Sequence, residues 1–135
     1  PPGCVVLLPA DPDRTACTIR EEIATRTGLQ VGVIIADSRT HAMRSGCSGV
    51  AIGCAGIPSI IDARGRPDLF GRPLEVTKQA LADNIASAAE IVMGEADECT
   101  PAALVRGLGI PITDVAGVES IDAAECLFMG LLRKN

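Results

Sequence analysis

The sequence predicts a single α+β domain over residues 1–135, a mixed sheet with flanking helices. Three observations predict it. A continuous apolar run, VGVIIA at 31–36, reads as a strand covered on both faces. Two stretches, 14–27 and 78–93, carry apolar residues at helical spacing. Strands and helices also mix without a strict alternation of strands and long crossovers, which argues against a doubly wound parallel sheet.

The elements follow in chain order. CVVLLP (4–9) reads as a strand. Asp11-Pro12-Asp13 offers a cap and a turn before RTACTIREEIATRT (14–27), whose Ala16, Ile19 and Ile23 share one helical stripe. Gly28 suits the left-handed position past the helix end. VGVIIA is the next strand. GCSGVAIGCAG (46–56) carries four glycines but no Gly-Lys-Ser/Thr, so it is not a phosphate-cradling P-loop. Its small residues suit either the close approach of two backbones or direct contact with a ligand. IPSIID (57–62) reads as a strand, and ARGRPDLFGRPLEV (63–76) as a loop by composition. Thr77 is placed to cap KQALADNIASAAEIVM (78–93), with Ala80, Leu81, Ile85, Ala88, Ala89 and Val92 as its apolar face and Gly94 as its stop. AALVRG (102–107) reads as a short strand and LGIPITDVAG (108–117) as a loop. Asp122 and Glu125 have capping-box spacing before a last helix over 123–132.

Composition bounds the partners. Phe70 and Phe128 are the aromatic residues, so the core must be aliphatic. A net charge of −5 and the lack of stacking rings exclude a broad nucleic-acid surface. The longest uncharged stretch, Ser45 to Ile61, is broken by Gly and Pro and is no membrane span. The six cysteines form no CxxC and no zinc-ribbon spacing, and read as small core residues of a reducing, cytoplasmic protein. The chain starts Pro1-Pro2 without an initiator Met, which reads as a processed chain or a piece of a longer one.

The strongest chemical signal is Asp37-Ser38-Arg39 at the end of the apolar strand. A carboxylate there is costly unless hydrated, paired or bound to a cation. Asp37 and Ser38 put two hard oxygens in a row, suited to Mg²⁺ or Mn²⁺ held with nucleotide phosphates. Arg39 and Arg44 add guanidinium forks that match phosphate or carboxylate oxygens. The alternative is an Asx-turn at Asp37 with Arg39 as its surface partner. His41, the sole histidine, has no partners for a triad or a zinc site and reads as a loop residue. Arg64, Arg66 and Arg72 surround Asp68, either as an internally paired loop or as a second clamp for an anion. Glu75 beside them suits a proton acceptor or metal ligand, or a helix-dipole partner. Asp83, Glu90 and Glu95 read as an exposed helical face without chemistry.

The order of LLPADPD, TGLQVGVIIADS, RSGCSGVAIGCAGI, GRPDLFGRPLEVT and ALADNIASAAEIVMGEADECTPAALVRG resembles the γ-glutamyl ligase family of coenzyme F420 over residues 3–107. That resemblance implies an enzyme that adds L-glutamate to the lactyl carboxylate of a phospholactyl-deazaflavin precursor. It implies GTP as co-substrate, an acyl phosphate, a divalent cation (Mg²⁺ or Mn²⁺), and an α+β fold working as a homodimer. The family's metal-binding Asp-Thr pair corresponds to Asp37-Ser38. Arg39, Arg44 and Arg72 are then the candidate substrate- and phosphate-binding residues, and no catalytic residue is assigned. The chain departs from the family in RTHAMR (39–44), where many members have a Gly-Arg turn, and in lacking a counterpart to the family's N-terminal half. The 135 residues alone are therefore expected not to ligate. Two other classes stay open: a non-ligating paralogue that binds a phosphorylated or flavin-like ligand, and a purely structural oligomerising domain.

Overall fold

The computed structural model describes residues 3–126 together with Phe128 and Met129. Helix α1 spans Pro12–Thr27. Its start follows from three residues: Asp11 Oδ1 accepts the Arg14 N–H at 2.9 Å, Pro12 fills a position that needs no N–H, and Asp13 adds negative charge to the first turn. Its end follows from Gly28, which takes φ 73° and returns its N–H to the Ala24 carbonyl. Strand β1 (Val33–Thr40) pairs antiparallel with β2 (Cys47–Ala55). Ile35 lies opposite Gly53 and Ala36 opposite Ala51, so Ile52 is the extra residue of a bulge.

The glycines of β2 serve packing. A Cβ on Gly49 would stand 2.6 Å from the Ala86 carbonyl oxygen, and one on Gly53 would strike the Pro12 carbonyl. Helix α2 (Leu81–Met93) and the start of α1 thus lie directly on the strand. At that distance helix side chains reach the β2 backbone. Asp83 Oδ1 accepts the Ala51 N–H at 2.9 Å, Asp13 Oδ1 accepts the Cys54 N–H at 2.9 Å, and Ser87 Oγ donates to the Gly49 carbonyl at 2.7 Å. Residues 113–117 complete the edge: Gly56 donates to the Val115 carbonyl, Thr113 to that of Gly56, and Gly117 to that of Cys54, each at 2.8 Å. The outer edge of β2 is closed without a third named strand.

The core is small and aliphatic, as the composition requires: Ala51, Cys54, Ile57 and Ala82, with Ile34, Ile85, Ile110 and Val118 against them. Cys54 is the fully buried member; burial pushes its thiol up to about 11, and its Sγ lies 3.4 Å from the Ile57 carbonyl. All six cysteines are unpaired, but the other five are partly or fully exposed, so the core-residue expectation holds for Cys54 alone.

The expected α+β class holds, with both sheets antiparallel and two-stranded among the described residues. The second sheet pairs β3 (Ile60–Asp62) with β4 (Lys78–Ala80). Its ladder runs on through the stretch expected to be a loop: Ala63 donates to Thr77, Gly65 to Leu74, Leu74 to Arg66 and Asp68 to Arg72. Residues 60–80 are one β-arm. At its tip Asp68 Oδ1 accepts the N–H groups of Phe70 and Arg72, both at 2.8 Å, and Gly71 takes φ 80°. This is a three-residue hairpin loop closed by a left-handed glycine.

Four other expectations are corrected. Residues 4–9 form no strand; no described segment offers them a ladder, and Val6 is 97% exposed. Residues 102–107 are likewise irregular. Thr77 does not cap α2, because its carbonyl is held in the arm ladder; the Ala82 N–H is met by the Ser59 carbonyl at 3.0 Å. The buried face of α2 is Leu81, Ala82 and Ala86, whereas Ala88 and Val92 face outward. Within the helix expected over 123–132, residues 123–125 form a turn and Phe128 and Met129 are helical, while 127 and 130–132 lie outside the described residues; Asp122 Oδ1 accepts the Ala124 N–H at 2.7 Å.

Removing Asp83 leaves a part-buried N–H without its charged acceptor. Asp83→Ala is expected to lower unfolding free energy by about 2 kcal/mol in urea titration, with Asp83→Asn losing less. Thiol titration of the native chain at pH 8 is expected to modify Cys4, Cys47 and Cys99 rapidly and to spare Cys54 until the chain unfolds.

Candidate functional site

Strand β1 leaves the core between Ile35 and Asp37. Val33, Ile34 and Ile35 are half-buried, and Ala36 through Thr40 are exposed. The pairing nevertheless continues to Thr40, so Asp37 is held opposite Val50 and Ser38 opposite Gly49. The Asp37 Oδ1 accepts the N–H of Ser38 at 3.0 Å. Among the described residues no other hydrogen bond to this carboxylate forms, and Arg39 makes no ion pair with it.

Successive strand residues point to opposite faces. Ser38 shares the face of Gly49, against which α2 packs, while Asp37 and Arg39 share the other. The two hard oxygens therefore present themselves on opposite sides of β1. Past the strand, His41 Nε2 lies 3.1 Å from Ser48 Oγ, consistent with a loop residue tied to its own hairpin. Arg44 closes a turn by donating its N–H to the His41 carbonyl at 3.2 Å. Asp37, Ser38, Arg39 and Arg44 thus belong to one hairpin end.

Arg72 is elsewhere. It follows the tip of the β-arm, where its carbonyl accepts the Asp68 N–H, and no hydrogen bond or ion pair among the described residues joins the arm to β1. Arg64 is committed to Asp62, donating from Nε at 2.9 Å, and this guanidinium holds the Asp62 carboxyl well below the usual range. Asp68 is the acceptor of the tip turn rather than a partner of the arginines.

Two carboxylates set aside at the sequence level come to the site. The Glu90 carboxyl is raised above its ordinary range, first by its hydrogen bond with Glu95 and then by partial burial and the charge of Glu95. The Gly49 N–H, directly across from Ser38, pulls the Glu90 carboxyl the other way, and the charge of Asp37 adds to the rise. The spacing of Asp83, Ser87 and Glu90 places all three along one side of α2, next to β2. That stripe was the available signal, since Asp83 and Ser87 each have a strand backbone group as partner. Cys126 also approaches: its thiol is lowered chiefly by the backbone N–H groups of Met129 and Phe128, with Arg39 a lesser contribution.

Among the described residues no three His, Cys, Asp or Glu side chains group tightly enough to hold a metal ion. The donor chemistry of Asp37 still suits a hard divalent cation, because its carboxylate offers oxygens only and leaves most coordination positions to water or phosphate, while the Ser38 hydroxyl stands on the other face. No helix among the described residues is long and apolar enough to cross a membrane.

Comparison with known proteins accords with the motifs. The profile of the F420-0:gamma-glutamyl ligase family matches residues 1–107. A coenzyme F420:L-glutamate ligase of Methanopyrus kandleri is 53% identical over 108 residues, covering 80% of this chain and 43% of the relative. That of Methanocaldococcus jannaschii is 46% identical over 121 residues, covering 90% and 49%. That of Haloarcula marismortui is 43% identical over 121 residues, covering 89% and 46%. The chain spans less than half the length of each of these relatives. With the profile matching residues 1–107 of 135, the chain belongs to the F420-0:gamma-glutamyl ligase family.

Proposed function

We propose that this chain is the metal- and phosphate-handling part of a homodimeric, cytoplasmic ligase that joins L-glutamate to the phospholactyl-deazaflavin precursor of coenzyme F420. GTP is the co-substrate: its γ-phosphoryl group passes to the lactyl carboxylate with release of GDP, and the glutamate amine then displaces inorganic phosphate from the acyl phosphate, losing a proton as the amide forms. The observation that carries the reading is the Asp37–Ser38 pair, held by the β1–β2 register at the exposed end of a half-buried strand, in a chain of this family.

The reading gives each residue a task. Asp37 takes a divalent cation on one face of β1, and Ser38 offers its hydroxyl on the other, so the pair serves two positions rather than chelating one ion. A bound Mg²⁺ or Mn²⁺ supplies neutralisation of charge on transferring phosphoryl oxygens. Arg39 stands on the face of Asp37 and Arg44 in the adjoining turn, where guanidinium forks orient phosphate or carboxylate oxygens. Glu90 and Glu95 add negative charge on the Ser38 side, and their mutual repulsion is relieved by a cation there. Among the described residues Asp37 and Ser38 leave most ligand positions of such a centre to other groups.

Three measurements test this reading. Mn²⁺ titration followed by paramagnetic broadening is expected to affect residues 37, 38, 49 and 50 at millimolar metal, and Asp37→Asn to abolish the effect at Asp37 and Val50. Identical broadening in both proteins contradicts the site. A pH series addresses the carboxyl pair. Because the folded-state affinity of Glu90 for its proton is raised, the pair favours folding below the ordinary carboxylate range and opposes it once both groups ionise. Glu90→Gln is therefore expected to raise the urea midpoint at pH 7 without metal and to leave it nearly unchanged at pH 3. Activity is tested by grafting this chain in place of the matching 108 residues of the Methanopyrus kandleri ligase. With GTP, Mn²⁺, L-glutamate and the precursor, the graft is expected to add glutamate, with Asp37→Ala reducing the rate at least about 100-fold. The ungrafted chain should show no product. A graft that binds the precursor but never ligates moves the reading to a binding paralogue.

A further inference from the structure

Helix α2 reaches the backbone of β2 at two places, and they stand on either side of one residue. Ser87 Oγ donates to the Gly49 carbonyl at 2.7 Å, and Asp83 Oδ1 accepts the Ala51 N–H at 2.9 Å. Val50 lies between them and faces Asp37 across the ladder. In an antiparallel pair, neighbouring residues direct their backbone groups to opposite sides of the strand. Gly49 and Ala51 direct theirs to the helix, so those of Val50 point to β1, where Asp37 is the partner. A run of contacts thus leads from α2 through residues 49–51 to the backbone of Asp37.

The two tethers differ in what they hold. Asp83 binds Ala51, which is buried and belongs to the core. Ser87 binds Gly49, and among the described residues no hydrogen bond from a helix reaches the hairpin beyond it, at residues 41–48. The pairs Ser38–Gly49, Arg39–Ser48 and Thr40–Cys47 therefore depend on the Ser87 tether and on the ladder itself. Packing does not replace it, because Ala36 through Thr40 are exposed. Glycine brings no side chain to steady the strand. Position 49 nevertheless has to be glycine, since a Cβ there would stand 2.6 Å from the Ala86 carbonyl oxygen. The backbone freedom that this glycine leaves is taken up by the hydroxyl of the next helix residue, Ser87.

We propose that Ser87 is a positioning residue for Asp37: acting through Gly49 and Val50, its hydroxyl fixes the direction in which the Asp37 carboxylate is presented to a divalent cation. The assignment rests on the metal site proposed above and names the residue that sets its geometry. Ser87 itself takes no part in coordination, because its hydroxyl proton is committed to the Gly49 carbonyl. Its loss therefore leaves the ligand in place and blurs its orientation.

Mn²⁺ dissociation constants, read from paramagnetic broadening at Asp37 and Val50, test the role in the wild-type chain, Ser87→Ala, Ser87→Cys and Ile57→Val. Ser87→Ala is expected to weaken Mn²⁺ binding about 10-fold. Ser87→Cys, close in size but a weaker donor, should fall between the two and gives the same comparison if Ser87→Ala does not fold. Ile57→Val removes a buried methylene beside Gly32, at the other end of β1, and so lowers stability without touching the tether; it should bind Mn²⁺ as the wild type does. Amide exchange should quicken in Ser87→Ala at Arg39 and Ser48 and stay slow at Ile35 and Cys54. Wild-type affinity in both Ser87 variants, or an equal loss in Ile57→Val, overturns the positioning role and leaves the metal site standing. Mn²⁺ binding to the wild-type chain that Asp37→Asn leaves unchanged overturns both.

Discussion

The N–H groups on the outer edge of β2 are met by carboxylates carried on helices, and the rest of the molecule follows from that. Asp13 on α1 takes the Cys54 N–H, and Asp83 on α2 takes that of Ala51. Each bond needs a helix within side-chain reach of a strand backbone, which is why Gly49 and Gly53 have no room for a Cβ. The small core of Ala51, Cys54, Ile57 and Ala82 is the consequence: helices that approach so closely leave space for little else. The bulge at Ile52 belongs to the same arrangement, since it shifts the outward N–H from Ala51 to Cys54, one for each helix.

This constraint also sets the site. Asp37 and Ser38 lie outside the core, and nothing packs on them tightly enough to fix their positions. Their placement comes from Val50 and Gly49 across the ladder, and Gly49 is fixed in turn by Ser87 and by the backbone of α2. The helix that anchors the strand also carries Glu90 to the Ser38 side, so the support of the strand and the charge of the site come from one row of residues.

Much of this was legible where a residue has a single structural use. Asp11-Pro12 and Gly28 bound α1 because capping leaves few alternatives. VGVIIADSRT revealed its strand, which the pairing extends to Thr40. The rest was hidden for physical reasons. Asp83 looks like part of a solvated helix face, since a carboxylate that accepts a strand N–H has no pattern distinct from one that accepts from water. The arm looked like a loop because Arg, Pro and Gly dominate it, although Asp68 and Gly71 already spell a closed hairpin tip. Residues 4–9 have strand character without a strand, because period and propensity do not supply a partner. Arg72 shares a charge with Arg39 and Arg44 but sits in a different hairpin, a difference that charge does not encode.

The central claim is that helix carboxylates stand in for a strand along β2, and amide hydrogen exchange reads it directly. The account predicts that the Ala51 and Cys54 amides, which have no strand partner on that side, exchange as slowly as the amides of the β1–β2 ladder and are freed only by global unfolding. Exchange of these two amides at rates near those of an open chain, while the ladder stays protected, would contradict it.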